Sequence, residues 1–279
     1  MNRGIVVLAQ NNKKTNYVLQ ACLLAMSLKA TNPDEKISII TNNRVPKDYK
    51  PLFDKIIRIP WNDAAKKSDW KVENRWKIYH ATPYNETVVL DTDMLILQNI
   101  NAWWNLLSKY DLFFTTRVNT YRDELITDNY YRKAFVANEL PNIYTGFYYF
   151  KKSDLAHEFF TWLEIVVNNW ELFYGTYNKQ NYNSWLSLDI SAAIVTKILN
   201  AEHKITNKRA KFPTFTHMKP KVQGWKENVE SWQDAVGIYL TDDCKLKIGN
   251  YLQTGIFHYS EDSFVTDNII DIYRNYLNV

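Results

Sequence analysis

The chain has 279 residues, of which 46% are hydrophobic and 23% charged, and its formal net charge is +4. That length supports one large α/β domain or two small ones with a core that needs no staples, and the composition is that of an ordinary globular chain. Two cysteines, Cys22 and Cys244, exclude a thiolate metal centre and a disulfide framework, and no apolar run approaches the ~20 residues of a membrane span.

The N-terminal "MNRGIVVLAQNN" carries one short apolar run before polar residues, so it reads as a strand and not a signal peptide. Cys22, in "QACLLAMSL", reads as a small core residue, and the cysteine usage points to a reducing, cytoplasmic setting. The small positive charge is a mild bias towards anionic ligands. Aromatic residues make up 15%, enough to fill a core with rings and to line a site for flat, partly polar ligands such as sugars or bases.

In chain order, "GIVVLAQ" (4–10) is a β-branched strand. "NYVLQACLLAMSLKA" (16–30) is apolar almost all round and predicts a buried helix. "KISIITN" (36–42) and "KIIRIP" (55–60) follow as strands. "DWKVENRWKIYHAT" (69–82) is helical and stops before Pro83, which disfavours helix in the residue ahead of it. "TVVLD" (87–91), "YDLFFTT" (110–116) and "NIYTGFYYFKK" (142–152) are strands, the last with Gly146 inside it. Ser153 caps a helix over 153–169 with apolar residues at Leu155, Phe159, Leu163, Val166 and Trp170, and "LDISAAIVTKILN" (188–200) is another. From Lys211 onward short strands dominate, and the amphipathic "SFVTDNIIDIYRNYL" closes the chain. Strands that alternate with helices predict a parallel sheet covered on both faces. Without a linker or a repeat, residues 1–279 read as one α/β domain with a C-terminal elaboration of short strands and a helix.

The segment "TVVLDTDMLILQNI" (87–100) places Asp91 and Asp93 at the end of a buried strand. Ligands of parallel α/β sheets bind beyond the carboxyl ends of strands. Residues one apart on an extended chain point to the same side, so the two carboxylates converge and repel. A divalent cation, Mg2+ or Mn2+, removes that repulsion and offers open positions to a diphosphate. The plainer alternative is two solvated carboxylates at the start of a loop. No GxGxxG or GxxxxGK[ST] occurs, which argues against dehydrogenases and P-loop enzymes.

These stretches together resemble the GT-A fold glycosyltransferases, and among them glycosyltransferase family eight, the glycogenin-like group of retaining enzymes. The likeness runs over roughly residues 4–200. It implies a Rossmann-like GT-A domain with a mainly parallel, twisted sheet flanked by helices. Residues 1–115 would form the nucleotide-binding half, 116–210 the acceptor and sugar half, and 211–279 the C-terminal elaboration. "NYVLQACLLAMSL" is similar to the family's first helix, so the resemblance implies that Tyr17 stacks on uracil, with Leu8, Ala9 and Asn11 of the first strand and its loop also at the donor nucleotide. Arg75 stands where the family has a basic residue, often Lys, that contacts the donor. "VVLDTDMLILQNI" matches the family's metal segment, with Asp91 on the ribose side and the metal and Asp93 on the metal. "YTGFYYF" resembles an N-[ST]-G-V-F-V-F strand, with Tyr144 in place of Asn. Asp189, in "SLDISAA", matches the aspartate that faces the transferred sugar. Donor and cofactor would be a UDP-linked sugar and Mn2+ or Mg2+.

The family also implies a C-terminal histidine ligand followed by a lysine on the diphosphate. His258 in "GIFHYSED" and His217 in "FTHMKPKVQGW" both fit, and we assign His258 to the metal and Lys219 to the phosphates. His80, His157 and His203 read as structural. The stretch 203–226 carries Lys204, Lys208, Arg209, Lys211, Lys219, Lys221 and Lys226 with Phe212, Phe215 and Trp225 interleaved. It reads as a solvated face with a diphosphate contact, or as a surface for an acidic acceptor such as duplex DNA. Small phage enzymes that resemble this group decorate hydroxymethylated bases, which must be flipped out to be reached. The acceptor expectations are therefore a glycan hydroxyl, or a modified base if the chain is phage-encoded. A competing class is a non-catalytic module that binds sugar nucleotides, which the intact Asp91/Asp93 pair argues against.

Overall fold

The computed structural model describes residues 2–126, 132–180, 185–207, 214–225 and 229–279. Strand β1 (Arg3–Leu8) leads to helix α1 (Tyr17–Thr31), whose first turn is held by the Asn16 side chain accepting from the Leu19 N–H at 3.1 Å. Strands β2 (Ile37–Ile40) and β3 (Lys55–Ile57) follow. The helical stretch before Pro83 is a 3₁₀ turn over Val72–Lys77 that runs into α2 (Ile78–Ala81). Next come β4 (Glu86–Leu90), β5 (Met94–Ile96), α3 (Asn101–Leu107), β6 (Leu112–Thr115) and β7 (Val118–Asn119). The middle of the chain forms α4 (Lys133–Ala137), β8 (Tyr144–Lys151), α5 (Asp154–Asn168), α6 (Trp170–Tyr177), α7 (Leu188–Ile198) and α8 (Glu202–Ile205). The last part holds the short strands β9 (Phe215–His217), β10 (Ile238–Leu240), β11 (Leu246–Ile248), β12 (Tyr251–Leu252) and β13 (Ile256–His258), then α9 (Asp267–Leu277).

The central sheet has the order β3-β2-β1-β4-β8-β6. Five of its strands run parallel, as the alternation of strands and helices predicts. β8 is the exception and lies antiparallel between β4 and β6. Alternation along a chain does not encode strand direction, so this reversal is invisible before pairing is known.

The sheet is buried on both faces, and successive residues of one strand feed opposite cores. Ile5, Val7, Val88, Leu90, Phe147 and Tyr149 pack on the side of α1 and the C-terminal strands. Val6, Leu8, Val89, Tyr148 and Phe150 pack on the side of α5 and α7. A strand covered on both sides must be apolar at every position, which is why β1 and β4 read as continuous runs.

A second sheet, ordered β5-β13-β9-β7, brings the distant C-terminal part over the aspartate segment. β13 pairs antiparallel with β5, opposing His258 to Met94, and parallel with β9, opposing His258 to His217. A three-stranded antiparallel meander, β10-β11-β12, lies outside it.

Candidate active site

Asp91 and Asp93 sit in the short link between β4, in the middle of the central sheet, and β5 in the second sheet. The Asp91 N–H donates to the Gly146 carbonyl at 3.0 Å, which anchors the link to β8. Thr92 points the other way, is buried, and donates to Gln20 Oε1 at 2.8 Å. The link turns at Thr92 and Asp93, and with the Thr92 side chain drawn to Gln20 both carboxylates are left together on the side of His258. A Cβ at Gly146 would lie 2.8 Å from Met94 Cε and 3.2 Å from Asp91 Oδ2, so any side chain there has to displace the end of Met94 and crowd the Asp91 carboxylate.

His258, at the end of β13, meets the pair: its Nε2 lies 2.9 Å from Asp93 Oδ2. One ligand atom from each of Asp91, Asp93 and His258 falls within 4.8 Å of the others. The carboxylates keep about a quarter of their side-chain surface open and the imidazole a tenth, so the cluster is shielded yet reachable. Two carboxylate oxygens and an imidazole nitrogen form a donor set that suits Mn2+ or Mg2+. Burial and the Asp93 charge push the Asp91 carboxyl above the usual range, against the pull of Arg75. Burial pushes Asp93 up as well, but the His258 charge and hydrogen bond outweigh it and hold Asp93 low. This is the like-charge tension that a cation relieves.

His217 stands outside the cluster. Its ring stacks on His258 with centroids 4.5 Å apart, and burial, with His258 and Lys219 nearby, lowers its pKa well below the ordinary histidine value. Lys219 follows β9, is exposed, and lies close enough to act on the His217 charge. Arg75, on the 3₁₀ turn, pairs with Asp91 Oδ1 at 3.1 Å. Tyr17 opens α1 half-buried; burial raises its pKa, and the charges of Arg75, Asp262 and Asp93 all reach its hydroxyl. Leu8 and Ala9 are buried as whole residues, and the Ala9 N–H donates to the Ile40 carbonyl at 2.9 Å, so they form the floor beneath the loop that follows β1. The Asn11 side chain accepts from the Val18 N–H at 3.0 Å, tying the loop after β1 to the start of α1.

Asp189 lies in the first turn of α7, capped by Ser187. Its Oδ1 accepts from the Thr145 N–H at 2.9 Å and from the Thr145 hydroxyl, and its Oδ2 from Arg132 Nη1. Burial pushes the carboxyl up, yet Arg132 and Thr145 together hold it below the usual range. Its charge reaches Asp91, so the two carboxylates share one electrostatic neighbourhood. Arg132 and Thr145 are absent from the residues that the sequence singles out. A lone arginine in an irregular segment carries no periodic signal, and only the partner 57 positions away reveals its use. Tyr144, in place of the family's Asn, presents its ring to the Arg132 guanidinium at 4.1 Å.

His80 and His157 pack around Tyr79, and His203 lies exposed in α8, none of them in the cluster. Of the basic stretch, Lys204, Lys219 and Lys221 are exposed, while Lys208, Arg209, Lys211, Phe212 and Lys226 lie outside the described residues. Phe215 is buried and Trp225 half-buried, with its ring 5.9 Å from that of Tyr121. No helix among the described residues is long and apolar enough to cross a membrane.

No protein-family model matches the chain, and no curated protein matches it. Solved structures do. The galactosyltransferase LgtC, in complex with donor and acceptor sugar analogs, superposes with a TM-score of 0.54 at 13% identity over 97% of this chain and 95% of its own. Mouse xyloside xylosyltransferase 1 in its apo form gives 0.52 at 11%, over 93% and 98%. The bifunctional glycosyltransferase WbbM gives 0.51 at 12% over 98% of this chain, which spans 51% of WbbM. At such identities the likeness is one of fold. The chain has the GT-A glycosyltransferase fold, with a parallel-dominated sheet flanked by helices and an additional antiparallel sheet towards its C-terminus.

Proposed function

We propose that the chain is a metal-dependent glycosyltransferase of the family-eight type, moving a sugar from a UDP-linked donor to a hydroxyl acceptor with retention. The observation that carries this reading is the convergence of Asp91, Asp93 and His258 beyond the carboxyl end of β4, in the electrostatic reach of Asp189. The fold shared with solved glycosyltransferases supports it.

In this reading residues 1–115 hold the nucleotide, 116–210 face the sugar and acceptor, and 211–279 close over the diphosphate. Asp91, Asp93 and His258 hold Mn2+ or Mg2+, which when bound neutralises diphosphate charge. Tyr17 offers its ring to the base, with Leu8 and Ala9 as the floor beneath and the loop at Asn11 beside it. Arg75 exchanges its pairing with Asp91 for the donor phosphates, and Lys219 is a second cation for them. Asp189 orients the sugar. A carboxyl kept ionised by Arg132 and Thr145 is a poor proton acceptor, so its contribution is electrostatic: it stabilises positive charge growing at the anomeric carbon. The acceptor hydroxyl attacks from the face that the phosphate leaves, and the departing phosphate oxygen takes its proton, so no side chain need act as a strong base.

The test is donor hydrolysis across a panel of UDP-sugars with Mn2+ and with EDTA, in the natural chain and in Asp93→Ala. Turnover in Mn2+ that both EDTA and the substitution abolish is expected. Full turnover in EDTA would overturn the reading.

A further inference from the structure

A second site lies on the other flank of the turn that carries Arg75. Arg75 reaches Asp91, while its neighbour Trp76 lines a separate cavity of about 440 Å3 together with Trp61, His80, Lys77, Glu164 and Asn168. The Trp61 indole is 65% exposed and stacks on Trp76, with centroids 5.4 Å apart and planes 21° from parallel. His80 sets its edge against Trp61 at 5.1 Å.

Trp61 reaches this position from a backbone φ of 58°, a region that bulky side chains rarely adopt. Strain of that kind persists where the surroundings impose it and gathers at ligand sites. Burial does not impose it here, since most of the ring faces water. Trp76 is 6% exposed, and its indole N–H has no hydrogen-bond partner among the described residues. That nitrogen is closed off, so Trp76 meets the cavity with its ring, beneath Trp61.

The rim is polar and selective. Glu164 and Asn168 are one helical turn apart on α5 and share a face, offering a carboxylate and an amide. The Lys77 ammonium donates to the Asn62 carbonyl and lies over the Trp76 ring at 5.5 Å, and the Glu164 carboxylate opposes its charge, so the charged groups of the lining balance and favour a neutral ligand. An aromatic platform with a few acceptors and donors at its edge, in a cavity within the ~300–1,000 Å3 of small-ligand sites, matches one chemistry best. A hexose lays its apolar C–H face on an indole and turns its hydroxyls to the rim.

We propose that Trp61, Trp76, His80, Glu164 and Asn168 form a saccharide-binding subsite, separate from the Asp91/Asp93/His258 cluster, that retains a neutral hexose unit of a glycan. It needs neither metal nor nucleotide and stands whether or not the transfer reaction does.

Saturation-transfer NMR with methyl glucoside, methyl galactoside and choline as probes, in EDTA, tests it. At least one hexoside is expected to receive saturation at millimolar concentration, equally from the natural chain and from Asp93→Ala. Trp61→Ala should weaken it by about tenfold, while Trp61→Phe and Glu164→Gln keep it. Because Trp61 is mostly exposed, its removal should leave the melting temperature unchanged; if it does not, Asn168→Ala carries the comparison and should weaken the hexoside likewise. Saturation of neither hexoside, saturation that survives loss of the ring, or saturation of choline that Glu164→Gln abolishes would overturn the proposal, the last in favour of an organic cation.

Discussion

Replacing Arg132 with glutamine should loosen the site without touching any metal-competent residue. The guanidinium donates to Asp189, to Asn142 Oδ1 at 2.9 Å and to the Ile143 carbonyl, and it lies 3.7 Å from the Phe135 ring centroid. Side-chain exposure is 9% for Arg132 and 26% for Asp189, so water screens the pair weakly. Removing one partner of a buried pair costs about 3–5 kcal/mol. The two Thr145 bonds keep Asp189 partly satisfied, which places Arg132→Gln at the lower end, about 3 kcal/mol. A chain of this size loses roughly 2–4 °C per kcal/mol, so the melting temperature should fall by about 6–12 °C. Urea unfolding of Arg132→Gln, Asp189→Asn and the double variant isolates the pair, with a coupling of about 2 kcal/mol expected at pH 7. The sign with pH follows from Asp189 being held low. Its contribution is complete above the unfolded carboxylate value of ~3.9 and disappears as pH falls through the lower folded value. The gap between natural chain and Arg132→Gln should therefore be flat from pH 7 to about 5 and shrink below about 4. A coupling under about 0.5 kcal/mol at pH 7, or a gap that widens on acidification, would refute this account.

His258→Ala should weaken Mn2+ binding by tenfold or more, and His217→Ala by less, because His217 lies outside the cluster and stacks on its neighbour; calorimetry decides, and the reverse ranking would move the site to His217. Gly146→Ala should cost about 1–3 kcal/mol and weaken Mn2+ retention, since the new methyl group crowds Met94 and the Asp91 carboxylate. Unchanged melting and unchanged metal affinity together would refute that. If duplex DNA is the acceptor, Arg209→Ala with Lys211→Ala should lower the slope of log affinity against log salt by about two while donor hydrolysis survives. No duplex binding by the natural chain at low salt removes DNA from the candidates.

The local pattern by itself determined most of the elements. β1, α1, β4 and α5 were legible because a strand covered on both faces is apolar throughout, a buried helix such as α1 is apolar all round over a helix's length, and the capped, amphipathic α5 repeats every turn. That Asp91 and Asp93 stand together at a strand end was legible, but a turn at Thr92 and Asp93 brings their carboxylates together where the sequence alone predicts a continuing pleat. The 3₁₀ character of residues 72–77 and the reversed direction of β8 were not legible, since hydrophobic spacing reports burial and says little about hydrogen-bond pitch or strand polarity. The site divides along the same line. Two carboxylates one residue apart are a local fact. That His258 meets Asp93 across 165 positions while His217 stacks behind it depends on β13 pairing with β5 on one side and β9 on the other. Arg132 depends likewise on α7 delivering Asp189 beside β8. Such contacts are made by strand pairing and packing between segments far apart in the chain, and no periodicity within either segment carries them.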